Sequence, residues 1–385
     1  MQEWKIYRIG DICKRVCSGG TPKSTEPSYY DGEIPWLNTK EINFNRISST
    51  EKHITLSGLE NSSAKWIDKN SVIVAMYGAT AAKVAINTIP LTTNQACCNL
   101  SIDETKADYR FVYYWLCSRY TELASLANGG AQQNLNAQQI KDFEIKLPEI
   151  QTQQKIADLL WSIDNKIICN KSINDNLEQQ TQALYKSWFI DFEPFKDGKF
   201  IDSELGLIPE GWRVGELSEF TNITSGKRPS TKSDYPTSRD KVPVFGASGI
   251  MAYTTDKLYD IPILIIGRVG TLGIVQKIDD ESWPSDNTLV ILSKNYHFVY
   301  FNLKSIDYQA INRGSTQPLI TQSDIKQQMI LIPQDEVLMK FEENANSLDK
   351  AIKNNDKAIK RLTLLRDTLL PKLMSGELKI NDLDC

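Results

Sequence analysis

A long internal repeat constrains this chain more than any other feature. Residues 129–189 and residues 314–374 match each other at a constant offset of 185 positions, without a gap. The matching residues form the pairs Gly129 and Gly314, Gln132 and Gln317, Ile140 and Ile325, Lys141 and Lys326, Pro148 and Pro333, Asp164 and Asp349, Ile167 and Ile352, Asn170 and Asn355, Leu177 and Leu362, and Leu184 and Leu369. The repeat is longer than the roughly 20 to 50 residues of a solenoid unit. It therefore predicts two pseudo-equivalent halves, each made of a domain and its connector.

The composition is that of an ordinary globular protein. Hydrophobic residues make up 41% and charged residues 24% of the 385 positions, enough for two or three domains with their own cores. No apolar run approaches the ~20 residues of a membrane span, and the first ten residues lack the apolar region of a signal peptide. The seven cysteines are odd in number and include no C-x-x-C pair, which favours free thiols. We therefore expect a cytoplasmic protein with no membrane contact.

The overall charge gives no support to nucleic-acid binding. The net charge is -4 and the isoelectric point is about 5.5. Binding to DNA would therefore depend on local placement of Lys and Arg, or on a partner that supplies positive charge.

Both halves follow the same order of segments. Each begins with a Trp (Trp4, Trp212) and reaches a Ser-Gly turn, then continues as short β-rich runs separated by Gly, Pro and Asn. Residues 73–75 and 263–266 are candidate buried strands. An aromatic segment follows in each half, and a hydrophobic strand then ends at Pro148 or Pro333. This order predicts two α+β domains of mixed sheet, over residues 1–148 and 212–333.

After each of these prolines the periodicity becomes helical. Residues 149–190 and 334–375 carry an apolar repeat of 3.5 residues over about five heptads, which predicts two long helices paired as an antiparallel coiled coil. The expected seam residues are Ile163, Ile167, Asn170, Leu177, Leu184, Trp188, Leu348, Ile352, Asn355, Leu362 and Leu369, with Phe189 beside them. Residues 191–211 form a turn-rich linker, and residues 376–385 form a tail.

Two asparagines interrupt the apolar seam. Asn170 and Asn355 both occupy heptad position a near the middle of their helices. In an antiparallel pair they would meet near the pseudo-twofold axis, where a buried Asn pair costs stability but fixes register. The alternative is that both face solvent at a break in the seam.

No catalytic constellation is evident. The chain has no G-x-x-x-x-G-K-[ST] sequence, which argues against a P-loop ATPase. The glycine-rich residues 267–273 lead into a β-prone stretch rather than a helix, which argues against a dinucleotide or S-adenosylmethionine site. His53 and His297 occupy non-equivalent places and are expected to be ordinary surface or strand residues. The acidic groups at 31–33 and 279–281 read as solvated turns rather than metal ligands.

Loop residues in both domains suit contacts with phosphates and base edges. Lys, Ser and Thr in turns can hold the DNA backbone, while Arg, Gln and Asn can make bidentate contacts to base edges in the major groove. In the first half the candidates are Lys23, Asn38, Thr39, Lys40, Tyr77, Thr80, Lys83, Gln132, Gln133 and Asn134. In the second half they are Lys227, Arg228, Lys232, Arg268, Thr271, Arg313 and Gln317. For any single residue, a solvated loop position remains the alternative.

Seven motifs follow one another along the chain: WLNTKEI at 36–42, YGATAAKV at 77–84, NQ at 94–95, LYKSWFIDFEPF at 184–195, FGASGI at 245–250, GRVGTLG at 267–273 and PKLMSGEL at 371–378. In these motifs and their order, the whole chain resembles the specificity (S) subunits of type I restriction–modification enzymes. The FGASGI motif adds Ser248 to the candidate DNA contacts. One departure is Ala82, which stands where a glycine is expected before Lys83.

The resemblance implies a non-catalytic reader of double-stranded DNA. Each recognition domain would read one half of an asymmetric bipartite target, and the helix pair would set the spacer and dock two methyltransferase (M) subunits. Restriction (R) subunits would join that complex. S-adenosylmethionine, ATP and Mg²⁺ would bind these partner subunits, and no cofactor would bind this chain. Aromatic residues on the outer helix faces (Trp161, Tyr185, Trp188 and Phe189) would form the M-subunit platform.

Two other classes of function remain open at this point. The first is a self-sufficient sequence-specific nuclease or a methyltransferase fragment, which the missing cofactor and metal motifs disfavour. The second is a scaffold that uses only its coiled coil, which the polar loops repeated in both domains disfavour. Incubation of the pure chain with DNA, Mg²⁺ and S-adenosylmethionine separates the first class from a DNA reader, and a DNA-binding measurement separates the second.

Overall fold

Two compact units make up the protein. The computed structural model describes residues 4–127 and 134–380. Unit 1 comprises Met1–Asn170 with Ala358–Cys385, and unit 2 comprises Lys171–Lys357. Each unit contains one globular domain and one segment of each of two long helices. The predicted α+β class, with two repeated mixed domains and two long helices, is confirmed.

Domain 1 is the globular part of unit 1. Its strands are β1 (Lys5–Arg8), β2 (Cys13–Ser18), β3 (Tyr30–Leu37), β4 (Asn45–Ile47), β5 (Lys52–Ile54), β6 (Trp66–Ile67), β7 (Val72–Ala75), β8 (Val84–Asn87), β9 (Leu91–Thr93), β10 (Cys97–Ile102) and β11 (Glu144–Leu147). Its helices are α1 (Leu56–Glu60), α2 (Tyr109–Ser118), α3 (Tyr120–Ser125) and α4 (Ala137–Asp142).

The strands of domain 1 form two mixed sheets and one ladder. The orders are β2-β10-β7-β8-β4 and β5-β3-β9-β6, and β1 pairs with β11. Strand β7 is buried on both faces, because Val72 and Val74 pack in one core cluster while Ile73 and Ala75 pack in another. Such a strand needs a continuous apolar run, and that run is what makes it visible in the sequence.

Domain 2 repeats this plan in unit 2. Its strands are β12 (Phe200–Ser203), β13 (Gly206–Pro209), β14 (Arg213–Glu216), β15 (Asn222–Ser225), β16 (Val242–Gly246), β17 (Gly249–Thr254), β18 (Ile263–Gly267), β19 (Val275–Ile278), β20 (Trp283–Pro284), β21 (Thr288–Leu292) and β22 (Met329–Ile332). Its short helices are α6 (Tyr296–Ser305) and α7 (Gln322–Lys326). The sheets are β15-β21-β18-β19 and β17-β16-β20, with β12-β13 and β14-β22 as separate ladders. The β12-β13 ladder lies within residues 191–211, so the predicted turn-rich linker contains a strand pair.

The central strand of domain 2 matches that of domain 1. In β18, Leu264 and Ile266 join one core cluster while Ile263 and Ile265 join another. The β-prone stretch after the glycine-rich residues 267–273 is strand β19. A helix does not follow this loop, so the geometry that binds a dinucleotide pyrophosphate at a helix N-terminus is absent here.

The long helices are α5 (Ile150–Phe189) and α8 (Asp335–Ser375). In unit 1, Arg366 of α8 donates to Asp164 of α5 over 3.0 Å, and Leu373 packs in the same cluster as Ile156. In unit 2, Asn355 donates to Asn174 over 2.8 Å, and Phe189 meets Phe341. Within each unit the contacts ascend along one helix as they descend along the other, so the two segments are antiparallel. All the expected seam residues are buried or half-buried.

The predicted pairing of Asn170 with Asn355 is wrong. Asn355 bonds instead to Asn174, whose amide nitrogen donates to Asp356 over 2.8 Å. The reason is geometric: in this antiparallel pair the a residue Asn355 faces the d residue Asn174. Asn170 is only 3% exposed, so the solvent-facing alternative is also wrong for that residue.

The predicted aromatic platform on the outer helix faces is also wrong. Tyr185 and Phe189 are 8% and 4% exposed and lie in the core of domain 2, against Phe298 and Phe341. Trp188 is half-buried against Phe341. In unit 1, Trp161 is half-buried and the Arg46 guanidinium lies 3.3 Å above its ring. Each helix segment packs on its globular domain as well as on the other helix. A heptad pattern reports only the contact between the two helices and contains no information about the domain.

None of the helices in the described part of the chain is long and apolar enough to cross a membrane.

Candidate nucleic-acid interface

In domain 1 the loop after β7 carries three of the predicted DNA contacts. Tyr77, Thr80 and Lys83 lie on this loop, and the exposed Tyr77 forms a single antiparallel bridge with Asn134. Beside it, the Leu135 amide donates to the Met76 carbonyl over 2.8 Å. The structure therefore brings Asn134 to this loop from a segment more than fifty residues away. Gln132 and Gln133 lie outside the described residues.

The path of this loop depends on two residues with positive φ. Gly78 has φ +72° and Ala82 has φ +67°. Glycine adopts this left-handed region readily, whereas alanine does so at a steric cost. Ala82, which stands where the resemblance led us to expect a glycine, therefore holds a conformation that glycine adopts more readily.

An asparagine that the sequence analysis missed joins this loop to a second turn. The Lys83 ammonium donates to Asn43 Oδ1 over 2.8 Å, and the Asn43 amide donates to Asn45 Oδ1 over 2.8 Å. Asn45 in turn donates to the Glu41 carbonyl over 3.1 Å. The turn at residues 38–41 is thereby connected to the loop after β7. Only the positively charged partner, Lys83, carried a sequence signal for this contact.

Part of the polar capacity of the 38–41 turn is used locally. Asn38 Oδ1 accepts from the Lys40 amide over 3.2 Å, and the Asn38 amide donates to Glu41 Oε1 over 2.9 Å, which forms a capping box. The Lys40 ammonium lies 2.5 Å from Glu51, and this hydrogen bond raises the pKa of Lys40. Thr39 is half-buried beside them.

The corresponding loop of domain 2 follows β18 and is held in the same way. Val269 forms a bridge with Leu319, the Gly270 amide donates to the Pro318 carbonyl over 3.0 Å, and the Ile320 amide donates to the Arg268 carbonyl over 2.9 Å. Gly270 has φ +82°, like Gly78 in domain 1. In both domains a late loop segment therefore bridges back to the loop after the central strand.

This bridge groups the predicted contacts of domain 2. Thr271 and Gln317 are exposed, and the Gln317 amide nitrogen lies close to Gly270. Arg268 is half-buried, and its Nε atom has no hydrogen-bond partner in the described part of the chain. A buried donor without a partner costs free energy, so an acceptor on a bound molecule would stabilise this arrangement.

Ser248 lies at the tip of the β16–β17 hairpin, next to the same loop. The side-chain amide of Gln276 donates to the Gly246 carbonyl over 2.8 Å, which connects the hairpin to β19. A Cβ atom on Gly267 would lie 2.5 Å from the Ala247 Cβ atom, so glycine is needed for this close approach. Ser248 itself is exposed.

The basic turn after β15 joins this group through the residues before β21. The Lys227 amide donates to the Pro284 carbonyl over 3.0 Å, and the Trp283 indole donates to the Lys227 carbonyl over 2.7 Å. Further along, the Arg268 amide donates to the Asn287 carbonyl over 3.0 Å. The side chain of Arg228 is 87% exposed and its Nε lies 3.9 Å from Asp286, a weak surface pair. The connecting residues Trp283 and Asn287 carry no motif that would have predicted this role.

Arg313 is already engaged on one edge. Its Nε and Nη2 atoms both donate to Asp324, the Nε contact over 2.9 Å. Asp324 is buried and forms a capping box with Thr321 at the start of α7. Burial would raise the pKa of Asp324, but its hydrogen bonds with Thr321 and Arg313 lower this pKa below its ordinary value. The Arg313 side chain remains 59% exposed. A bidentate contact to a base would have to use another edge of this guanidinium.

Two predicted lysines lie on other segments. Lys23 is exposed on the loop after β2, where the Gly20 amide donates to the Thr93 carbonyl over 2.9 Å. Lys232 is exposed next to Ser233, which bridges to Tyr253 of β17.

The groups that could serve metal-dependent or thiol chemistry can be located in the described part of the chain. Within residues 4–127 and 134–380, no group of three His, Cys, Asp or Glu side chains is placed to hold a metal ion. Burial raises the pKa of the Cys13 and Cys98 thiols to about 12, which leaves them protonated and poor nucleophiles. The prediction for His297 is wrong: it is 1% exposed, lies on α6, and is paired with Glu342 at 3.0 Å. His53 lies on β5 as predicted.

Comparison with known proteins gives consistent matches along nearly the whole chain. Residues 1–179 and 209–362 match the family described as type I restriction modification DNA specificity domain. The chain is 30% identical to the type I restriction enzyme MjaIX specificity subunit of Methanocaldococcus jannaschii, over 99% of this chain and 95% of that protein. It is 22% identical to the type I restriction enzyme HindI specificity subunit of Haemophilus influenzae, over 98% of this chain and 100% of that protein.

A solved structure shares the fold. The type I restriction–modification S subunit of M. genitalium superposes with a TM-score of 0.63, covering 96% of each chain at 17% sequence identity.

Proposed function

Because this chain belongs to the family of type I restriction–modification DNA specificity subunits, we propose that it is the non-catalytic reader of such a complex. It binds double-stranded DNA and reads an asymmetric bipartite target, with one domain on each half-site. Two methyltransferase subunits dock on it, and restriction subunits join through that assembly. S-adenosylmethionine, ATP and Mg²⁺ bind those partners.

The repeated loop arrangement is the observation that supports this proposal most. In each domain, a loop after the central buried strand is bridged by a segment from the end of the domain, through Tyr77 and Asn134 or Val269 and Leu319. Around each bridge lie exposed or half-buried amide, hydroxyl and cationic groups. Two equivalent polar surfaces in one chain suit a target of two half-sites, because each can read one short sequence.

The groups divide into two kinds of contact. Lys227 and Arg228 are highly exposed cations on a glycine-tight turn, where a Cβ atom on Gly226 would lie 2.1 Å from the Ser285 carbonyl oxygen. Exposed cations of this kind neutralise phosphates without reading sequence. Gln317 and Arg268 lie on the bridged loops, where the backbone is fixed and the side chains can meet base edges.

The acidic net charge fits a shared interface with DNA. The chain carries 44 Lys and Arg against 48 Asp and Glu, so it cannot supply a strongly positive surface by itself. In the proposed complex the methyltransferase subunits provide much of the phosphate neutralisation, while this chain provides local contacts in the grooves.

The decisive experiment maps methylated adenines in DNA from cells that carry the complete system. We expect methylation at one asymmetric bipartite sequence with a fixed spacer, lost when this chain is deleted. A continuous or symmetric target would contradict the bipartite reading.

A second experiment tests the non-catalytic role. The pure chain is incubated with the mapped DNA, Mg²⁺ and S-adenosylmethionine, and the same mixture with the methyltransferase subunits serves as the positive control. We expect neither cleavage nor methylation by the chain alone. Methyl transfer or cleavage without partners would assign the chain to the class of self-sufficient enzymes.

A further inference from the structure

One repeated pair of acidic residues is not used by the DNA-reading loops. Asp164 and Asp349 are 185 positions apart in the repeat and lie inside α5 and α8. Their side chains are only 13% and 11% exposed. Carboxylates on long exposed helices normally face water, so the burial of both members of the pair calls for a physical reason.

In unit 1, Asp164 joins three elements. Tyr114 of α2 donates its hydroxyl to Asp164 Oδ2 over 2.5 Å, and Arg366 of α8 donates to Oδ1 over 3.0 Å. Tyr114 is 2% exposed, and its burial, with Asp164 next to it, raises its pKa well above its ordinary value. The phenol therefore remains a donor. One carboxylate thus links domain 1, the helix that carries it and the second helix.

In unit 2, Asp349 links domain 2 to the helix that carries it, through a different set of cationic partners. Lys277 of β19 lies 3.3 Å from Oδ1, Lys353 of α8 lies 2.7 Å from Oδ2, and His297 Nε2 of α6 lies 3.8 Å from Oδ1. Burial would raise the pKa of Asp349, but the neighbouring His297 and Lys353 hold it well below its ordinary range. Asp349 therefore stays ionised where domain 2 meets its helix.

Neighbouring groups complete the contact in unit 2. Glu342, seven residues before Asp349 on the same helix, accepts from His297 Nδ1 over 3.0 Å and from the Phe298 amide over 2.9 Å. Lys353 also lies 3.0 Å from Asp279, which follows β19. The start of α6 and the end of β19 are thereby both fixed to α8 by directional contacts.

Unit 1 has a similar second contact. The Arg46 guanidinium, from β4, stacks on Trp161 at 3.3 Å and donates to the Trp161 carbonyl over 3.3 Å. It also donates to Asn165 on the same helix. Each domain therefore meets its helix through a buried carboxylate and a cation from a sheet strand, although the residues that supply the donors differ.

Buried charged contacts of this kind specify geometry more than they stabilise. The desolvation of two ions offsets most of their attraction, while the directional hydrogen bonds hold only in one orientation. The apolar contacts beside them, such as Tyr185 stacked on Phe301, are less restrictive, because aromatic pairs have more than one favourable ring arrangement. The carboxylates therefore add directional contacts to the apolar packing between each domain and its helix.

We propose that Asp164 and Asp349 are positioning residues, each fixing the angle of one recognition domain on the helix that carries it. The consequence of this angle for DNA rests on the proposed function. In that function, the angle determines how the loops of each domain meet the DNA grooves. It therefore also determines how strictly the complex discriminates between spacers of different length.

The first test needs no DNA. Spin labels are placed at Asp256 of domain 2 and Lys350 of α8, both exposed, in the full chain with Cys169 and Cys385 replaced by Ser. The label-to-label distance distribution is measured by pulsed electron paramagnetic resonance. We expect Asp349→Asn to broaden and shift this distribution, because the neutral amide loses the contacts to Lys277 and Lys353.

The matched control is Asp260→Asn, an acidic residue of domain 2 that pairs with Lys257 on the surface at 3.1 Å. We expect the control to leave the distribution unchanged. If Asp349→Asn folds, as judged by its circular dichroism, and leaves the distribution as narrow as the control, the positioning role is refuted.

The second test measures spacer discrimination by the complex with its methyltransferase subunits. The DNA probes carry the mapped half-sites with the native spacer, or with one base pair added or removed. Tyr114→Phe is the variant of choice because it removes one hydroxyl and keeps the ring packing. We expect the affinity ratio between native and altered spacers to fall about threefold or more, with binding to a single half-site duplex unchanged.

A purely stabilising role predicts a different result, namely a lower melting temperature with an unchanged affinity ratio. That result for Tyr114→Phe and Asp349→Asn together would overturn the inference. If the wild-type complex shows no bipartite target at all while Asp349→Asn still broadens the label distances, the proposed function fails and the positioning role stands.

Discussion

At the scale of single residues, backbone conformation limits which side chains a position can carry. Ala82 is the clearest case, since it is fully buried and holds φ +67° in the loop that carries Tyr77 and Lys83. A non-glycine residue in this region costs about 1–3 kcal/mol, and a β-branched residue costs more.

The Ala82 conformation leads to a stability prediction. Ala82→Gly relieves the strain but loses a buried methyl group and gains unfolded-state entropy, so we expect a change within about 1 kcal/mol. Ala82→Val adds a β-branched side chain to a buried left-handed position, and we expect a loss of at least about 2 kcal/mol. Urea unfolding of the two variants measures both. Equal stabilities would mean that the loop does not hold the left-handed conformation.

The basic turn after β15 gives a second prediction at this scale. Replacing Lys227 and Arg228 by Ala should weaken binding to all sequences and flatten the slope of log K against log salt by at most about two units. The matched control is Lys257→Ala, a domain 2 cation engaged with Glu281 at 2.7 Å. A variant that lost preference for one base while keeping the salt slope would show that the turn reads sequence.

Gln317 should behave in the opposite way. Its amide is exposed beside Gly270 on the bridged loop. We expect Gln317→Ala to reduce discrimination at one base pair of one half-site by ~1–3 kcal/mol, with the salt slope unchanged. Binding measured on duplexes substituted at each position tests this, and a uniform loss across all positions would contradict it.

At the scale of elements, each long helix belongs to the core of a domain as much as to the helix pair. Phe189 contacts Phe298, Trp212 and Phe341 with ring centroids 5.0, 5.9 and 4.9 Å away. The end of α5 is therefore the centre of an aromatic cluster, and it cannot serve as a free surface for a partner.

Truncation of Phe189 should accordingly destabilise domain 2. We expect Phe189→Ala to cost about 3–5 kcal/mol, with faster hydrogen exchange in α6 and in the neighbouring part of α8. The adjacent Ile190 is 54% exposed, so Ile190→Ala should change stability by less than about 0.5 kcal/mol. Comparable losses of stability in the two variants would show that the aromatic cluster around Phe189 does not stabilise domain 2.

The buried histidine at the start of α6 gives a pH dependence. Burial lowers the pKa of His297, but the neighbouring Asp349 and Glu342 raise it by a larger amount. The folded-state pKa therefore lies above the ordinary 6.5. The charged imidazole therefore stabilises the fold below pH 6.5, and this contribution is lost as the pH rises through the higher folded-state pKa.

We therefore expect the stability of domain 2 to fall as the pH rises above about 6.5, by at most about 1.4 kcal/mol per pH unit from this group. His297→Gln should flatten that dependence. Thermal unfolding at a series of pH values measures it, and an unchanged slope in the variant would assign the pH dependence to other groups. The lowered pKa of Asp349 predicts the reverse on acidification, with stability lost as the pH falls below about 3.8.

At the scale of the whole molecule, the proposed function makes helix length the determinant of the spacer. Inserting seven residues after Asn170 and seven after Lys357 keeps the heptad phase and adds about 10 Å to each helix. At ~3.4 Å per base pair, we expect a spacer about three base pairs longer with both half-site sequences unchanged. Methylation mapping in cells carrying the variant and its methyltransferase subunit tests this. An active variant with the original spacer would show that another feature sets the distance.

The sequence alone was sufficient wherever the signal is local or repeated. The buried strands β7 and β18 were predictable because a strand covered on both faces needs an unbroken apolar run. The long helices were predictable because a seam between two helices imposes a 3.5-residue period on each. The duplication itself required no structure, since a constant offset of 185 residues is visible in the chain.

Only the tertiary structure decided how these elements meet. Asn355 pairs with Asn174, Arg313 is engaged by Asp324, and Phe189 lies in the core of domain 2. Asp164 and Asp349 are buried by Tyr114 and by Lys277 with His297, residues tens of positions away in the chain. The periodicity of a helix shows that one face is apolar but contains no record of what packs against its other faces. Those contacts depend on atoms brought together by chain folding, and no pattern along the sequence specifies them.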